Sequence, residues 1–184
     1  MERAIILGDS PFLKEVEDVL HYVLDKNYVL GINCVITKCR ADVHVFSDIN
    51  LIPLTNNYPN LETLTLCPYG DIIRKPKKTL INTFTYNGDY CIKKDNKFAW
   101  CGFTHDYVIS YLISKGYKEI ILLGAADFIN GSHYTHDWKF KRSDILQEKS
   151  IGFIEDCANM YADIKTCNPN SPINIPHIKI EELL

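Results

Sequence analysis

A chain of 184 residues, 46% hydrophobic and 23% charged, is long enough to bury one substantial core and too ordinary in composition for a disordered or fibrous protein. Its formal net charge of −3 excludes a global basic field that would recruit nucleic acid, and no stretch approaches the ~20 apolar residues that span a bilayer. Seven cysteines, at 34, 39, 67, 91, 101, 157 and 167, are odd in number and lack metal-type pairs, so they read as mostly reduced, buried thiols rather than a disulfide scaffold.

Ala4 to Leu7 reads as a first buried strand, too short an apolar run for a signal-peptide core, and a cytoplasmic location is expected. Gly8-Asp9-Ser10-Pro11 then forms a turn into a helix, with Ser10 as N-cap and Pro11 at a first helical position. Leu13, Val16, Leu20, Val23 and Leu24 recur at helical spacing. Tyr28 to Ile32 and Val43 to Phe46 are predicted strands that end near Asn33 and near Ser47-Asp48. Leu61 to Leu66 and Leu80 to Tyr86 are predicted strands on either side of the basic run Arg74 to Lys78. Thr104 is a possible N-cap for a helix carrying Tyr107, Val108, Tyr111 and Leu112, and Gly116 is placed to stop it.

Ile120 to Leu123 are apolar without alternation, as in a parallel strand covered on both faces, and Gly124 ends that strand. Beyond it come Asp127, Asn130, Ser132, His133, Tyr134, His136 and Asp137, a dense set of polar and titratable groups. A last helix is predicted from about Leu146 to Tyr161, followed by a strand over Ile164 to Thr166 and the turn Asn168-Pro169-Asn170-Ser171. No repeat or linker divides residues 1–184, so a single α/β domain is expected: Rossmann-like, with a mainly parallel twisted sheet and helices on both faces. Right-handed crossovers would gather the polar strand ends on one rim, where such sheets bind ligands. Any one of these Asp, Asn, Ser or Gly residues also has a local use in a turn or cap.

Gly8-Asp9-Ser10-Pro11 lacks the further glycines of a dinucleotide fingerprint and is not a phosphate-binding P-loop, but a turn that opens a helix still offers N–H groups to a phosphate. Taken together, the strand-end segments resemble the small bacterial sialyltransferases, inverting enzymes that use a CMP-linked sugar. They also resemble related domains of the motility accessory factor and of archaeal hydroxymethylpterin pyrophosphokinases. The resemblance runs through Gly8 to Leu13, Gly31-Ile32-Asn33, Val45 to Asp48 and Trp100-Cys101-Gly102. It continues through Lys115 to Ile120, Gly124 to Phe128, Asn130 to Tyr134 and Cys167 to Ser171, in matching order over most of the chain.

The resemblance implies a nucleotide-sugar donor, CMP-linked by preference, a hydroxyl acceptor of unspecified kind, and no required cofactor or metal. Gly8, Asp9, Ser10, Asn33, Asp48, Gly102, Asn170 and Ser171 would bind the donor, and Tyr134 would donate its hydroxyl to the leaving phosphate. The family's lid histidine, its general base, has no counterpart in Lys141 to Leu146. Its second phosphate tyrosine falls at or beside Phe128-Ile129. His136 or His133 would then take the acceptor proton, with Asp127 or Asp137 orienting the ring.

Two other readings stand beside this one. Asp9, Asp48 and Asp127 would hold Mg²⁺ in a pyrophosphoryl or nucleotidyl transferase, and a noncatalytic nucleotide or nucleotide-sugar binder would keep the rim without the base. Metal ligation by His133, His136 and Asp137 is a weaker alternative, and His105-Asp106 is best explained by helix-start capping. The clusters Arg74-Lys75-Lys77-Lys78, Lys93-Lys94-Lys97 and Lys139-Lys141-Arg142 read as solvated faces, and nucleic acid would bind only through them. A monomer and a homo-oligomer are both compatible with the chain.

Overall fold

The computed structural model describes residues 3–66, 78–128 and 144–184. The strands are β1 (Arg3–Leu7), β2 (Tyr28–Ile32), β3 (Val43–Phe46), β4 (Glu62–Thr65), β5 (Lys78–Leu80), β6 (Asn82–Thr85), β7 (Lys93–Lys94), β8 (Lys97–Trp100), β9 (Glu119–Leu123) and β10 (Asp163–Thr166). The α-helices are α1 (Glu17–Lys26), α2 (Ile52–Asn56), α3 (Thr104–Ser114) and α4 (Asp144–Met160). Among the described residues seven strands form one sheet in the order β10-β9-β1-β2-β3-β4-β5, every pairing parallel. A second sheet, β6-β8-β7, pairs β6 parallel and β7 antiparallel to β8. The α/β, Rossmann-like architecture expected from the sequence is present.

The unbroken apolar runs follow from this layering. Ala4, Ile6, Leu30, Ile32, Val45, Ile120 and Leu122 face a core shared with Tyr107, Val108 and Leu112 of α3 and Phe153 and Ile154 of α4. Ile5, Leu7, Val29, Ile121 and Leu123 face the opposite core with Leu20, Val23 and Leu24 of α1 and Ile178, Ile180 and Leu183 of the C-terminal segment. A strand covered on both faces has no solvent side, so alternation disappears from its sequence. At the amino edge, Arg3 of β1 and Lys165 of β10 clasp Glu119 of β9 at 2.7 and 2.9 Å. The paired cations hold the Glu119 carboxyl below its usual range, the Arg3 hydrogen bond contributing most.

Three expectations shift. The segment after Ser10 is a 3-10 turn over Pro11–Lys14, and α1 starts only at Glu17, because Phe12 and Leu13 are drawn into the core beneath the β9 turn. Thr104 is the first residue of α3 rather than its cap. Phe103 holds the cap position, and the Asp106 carboxylate accepts its N–H at 2.9 Å. The stretch Leu80 to Tyr86 is two strands, since the chain leaves the large sheet at Ile81 and enters the small one at Asn82. The sequence reading passed over β7, β8 and α2. Gly116 does follow the end of α3 in a left-handed conformation, φ +90°.

Candidate functional site

Strand order decides where a site can form. From β1 the chain builds outward through β2 to β5, then returns to lay β9 and β10 on the other side, so the carboxyl ends of β1 and β9 meet at the topological switch point. The two turns there are in intimate contact. Gly8 N donates to Leu123 O at 3.0 Å and Ser10 N to Gly124 O at 3.1 Å. A Cβ on Gly8 would lie 2.1 Å from Gly124 O, and one on Gly124 would lie 2.9 Å from the Leu13 side chain. The missing side chain of Gly8 therefore serves chain-on-chain packing.

Asp127 is the centre of the rim. It follows Gly124 at φ +64° and sits between Ala126 at φ +59° and Phe128 at φ +51°, two non-glycine residues in the left-handed region. Such residues cost on the order of 1–3 kcal/mol each and persist where surrounding structure holds them. The Asp127 side chain is buried, 5% exposed, and among the described residues neither carboxylate oxygen receives a well-shaped hydrogen bond. Burial pushes its pKa up; the Ser10 hydroxyl and the Asn168 amide face it and oppose that shift without forming well-shaped bonds.

Asn168 approaches from the end of β10 and is 2% exposed. Its Oδ1 accepts the Asn170 N–H at 2.9 Å, which fixes the orientation of the amide, and among the described residues its Nδ2 has no well-shaped partner. Asn33, at the end of β2, has φ +55° and an Oδ1 that also lacks one among the described residues. An unsatisfied buried polar group costs about 1–3 kcal/mol. Among the described residues, three in that condition lie at the ends of β2, β9 and β10 on one rim.

The other expected donor-site residues are distributed unequally. Ser10 is buried beside Asp127, and its Oγ accepts Phe12 N–H at 3.2 Å. Asp9 lies in the same turn. Asp48 is exposed at the end of β3, two strands from β1, with Oδ1 accepting both the backbone and side-chain N–H of Asn50 at 2.9 Å. Asn170 is exposed, and Ser171 Oγ accepts Ile173 N–H at 3.3 Å, so these two shape the turn while Asn168 faces the rim. Gly102, φ +125°, leaves space filled by Leu146 of α4. His133, Tyr134 and His136, with Asn130, Ser132 and Asp137, lie outside the described residues, as do Arg74 to Lys77 and Lys139 to Arg142. Among the described residues no three His, Cys, Asp or Glu side chains gather as a metal-holding group.

Sequence reasoning missed Asn168 and the network under the rim. The signal for Asn168 was its place before Pro169 directly after a buried strand, where an Asn starts a turn. At the start of α3, Asp106 Oδ2 accepts from Cys101 N at 3.1 Å and Phe103 N at 2.9 Å, while Oδ1 accepts from Ser150 Oγ at 2.5 Å. The capping role expected for Asp106 is thus present. His105 Nε2 lies 3.0 Å from Ser150 Oγ, and its ring stacks on Phe103 and meets the edge of Phe128, the neighbour of Asp127. The start of α3 is also pinned to the rim by Thr104 Oγ1, 3.0 Å from Ser47 Oγ, and by Tyr107 O–H, which donates to Phe46 O at 3.1 Å.

No family model, curated protein or solved structure matches this chain.

Proposed function

We propose that the chain binds a nucleotide-activated sugar along the carboxyl rim and transfers the sugar to a hydroxyl acceptor, CMP-sugars being the favoured donors. The observation that carries this reading is the buried Asp127 carboxylate at the switch point, which among the described residues receives no well-shaped hydrogen bond. A carboxyl whose pKa burial raises is better matched to accepting a proton near neutral pH than an ordinary one. Neighbouring strands are about 4.8 Å apart, so the rim from Asn168 to Ser47 spans about 19 Å, enough for a base, a ribose, a phosphate and a sugar laid end to end. Asn168 Nδ2 supplies a donor and Asn33 Oδ1 an acceptor along that path.

In the proposed step the acceptor oxygen attacks the anomeric carbon, its proton passes to Asp127, and the bond from the anomeric carbon to the phosphate oxygen breaks. Tyr134 would donate to the departing phosphate, and His133 or His136 is the competing proton acceptor. The inverting, metal-independent character comes from the sialyltransferase resemblance.

The test is incubation with CMP-, UDP- and GDP-sugars, with and without Mg²⁺, following release of the free nucleotide and titrating binding calorimetrically. Turnover with a nucleotide-sugar, lost at least a hundredfold in Asp127→Asn, is expected. Consumption of a nucleoside triphosphate that depends on Mg²⁺ would replace this reading with pyrophosphoryl transfer, and binding without turnover would reduce the protein to a binder.

A further inference from the structure

A fully buried histidine in a parallel strand calls for a physical reason, because an imidazole needs partners for both nitrogens once water is excluded. His44 of β3 is 0% exposed. Its Nε2 lies 2.9 Å from the carbonyl oxygen of Asn33, and its Nδ1 lies 3.0 Å from Oγ1 of Thr55, a residue of α2 that is itself 0% exposed. A carbonyl only accepts, so the Nε2 carries the hydrogen. The ring reaches across from β3 to the carboxyl end of the adjacent β2 and is packed 5.0 Å from Phe46.

The carbonyl it holds belongs to a residue in an unfavourable conformation. Asn33 is left-handed at φ +55°, and that backbone fixes where its side chain leaves the chain, with Oδ1 unpartnered among the described residues. The bond from His44 thus acts on the carbonyl of a residue whose left-handed backbone costs energy even for Asn, which visits that region more readily than most residues, and which opens a 3-10 turn.

We propose that His44 is a positioning residue: its ring, set by Thr55, holds the carbonyl of Asn33 and so maintains the left-handed backbone that presents the Asn33 side chain to a ligand at the rim. This inference rests on the rim being the ligand site proposed above. The pairing makes His44 and Asn33 one functional unit although they lie on different strands.

The experiment measures the affinity of CMP, UMP and GMP by calorimetry, and the backbone φ of Asn33 by NMR scalar and residual dipolar couplings, in wild type and variants. His44→Phe removes the donor, His44→Gln can retain it, and Thr55→Val loosens the ring and stands in if His44→Phe does not fold. His44→Phe is expected to weaken the nucleotide that wild type binds by about tenfold, or 1.4 kcal/mol, as Asn33→Ala does, with the double variant no weaker than either single one. The Asn33 couplings should shift in His44→Phe and not in His44→Gln. An unchanged Asn33 φ in His44→Phe, or additive losses in the double variant, would overturn the proposal and leave His44 as core packing. If wild type binds none of the nucleotides, the functional reading fails on its own, and the ligand-free couplings still decide whether His44 sets Asn33.

Discussion

Asp127 carries a penalty in the folded protein that an unfolded chain does not, since its carboxylate is buried and, among the described residues, neither oxygen receives a well-shaped hydrogen bond, although Ser10 and Asn168 face it. Its folded pKa is raised by desolvation. A raised carboxyl disfavours the native state wherever the group is ionised in the unfolded chain, and the penalty disappears once pH falls below the ordinary Asp value near ~3.9, where both states are protonated. Asp127→Asn should therefore stabilise the protein at pH 7 by about 1 kcal/mol, or roughly 2–4 °C, and the difference should close as pH falls below the ordinary carboxylate range. Thermal melts at the two pH values check this. Destabilisation at pH 7 would show that the carboxylate is a structural acceptor rather than a group reserved for a ligand.

Polar side chains around Asp127 illustrate what could be read from the chain and what could not. Asp127, Ser10 and Asn33 were legible as residues following buried strands. Asn168 was passed over in favour of Asn170 and Ser171, because all three sit in one polar turn and nothing local says which faces inward. His44 was invisible to periodicity, since a single polar residue inside the apolar run Val43 to Phe46 looks like an interruption of a strand.

Elements meet through small residues and short ion pairs, and these give sharper contrasts. A Cβ on Gly8 would be 2.1 Å from Gly124 O, a backbone atom that cannot turn away, while a Cβ on Gly152 of α4 meets nothing within 4 Å. Gly8→Ala is expected to destabilise by about 3 kcal/mol or more through forced separation of the β1 and β9 turns. Gly152→Ala should stabilise by about 0.5–1 kcal/mol through helix propensity alone. Urea denaturation of both variants measures the contrast, and equal effects would show that the switch point is not tightly packed.

The clasp at the amino edge has the opposite pH signature to Asp127. Glu119 has a lowered pKa, so its contribution is present above the ordinary Glu value near ~4.3 and is lost as pH falls through the lower folded value. The ion pairs are partly exposed, with Arg3 at 33% and Glu119 at 18%, and solvent screening holds the contribution to about 1 kcal/mol or less. Glu119→Gln should lower stability at neutral pH by that amount and match wild type in acid, as denaturant melts at the two pH values would show. A deficit that persists unchanged in acid would mean that the substitution acts through packing of β9.

For the whole molecule, the proposed occupancy of the rim by a nucleotide-sugar predicts that ligand and fold stabilise one another. A nucleotide-sugar present at a hundredfold its Kd should add about 2.7 kcal/mol, or roughly 5–11 °C in Tm, and Asp127→Asn should abolish most of the increase. A panel of CMP-, UDP- and GDP-sugars screened by thermal shift reads this directly, and an unmoved Tm with every donor would count against a nucleotide-sugar site. Among the described residues no helix is long and apolar enough to cross a membrane.

The layered α/β architecture was present in the chain as runs of apolar residues of strand length, broken by helical spacing and polar turns, because burial on both faces of a strand is a local demand on composition. The position of the rim followed from the handedness of the crossovers. Which rim residues keep unsatisfied polar atoms, among the described residues, was decided by contacts between segments far apart in sequence. The Asp48 and Ser171 side chains bond within their own turns, and Asn170 is exposed with its backbone N–H held by Asn168, whereas among the described residues Asp127, Asn168 and Asn33 keep orphaned atoms once β9, β10 and β2 take their places beside and around β1. Hydrogen-bond satisfaction depends on which neighbours folding brings within about 3 Å, and that distance is not a property of any one segment.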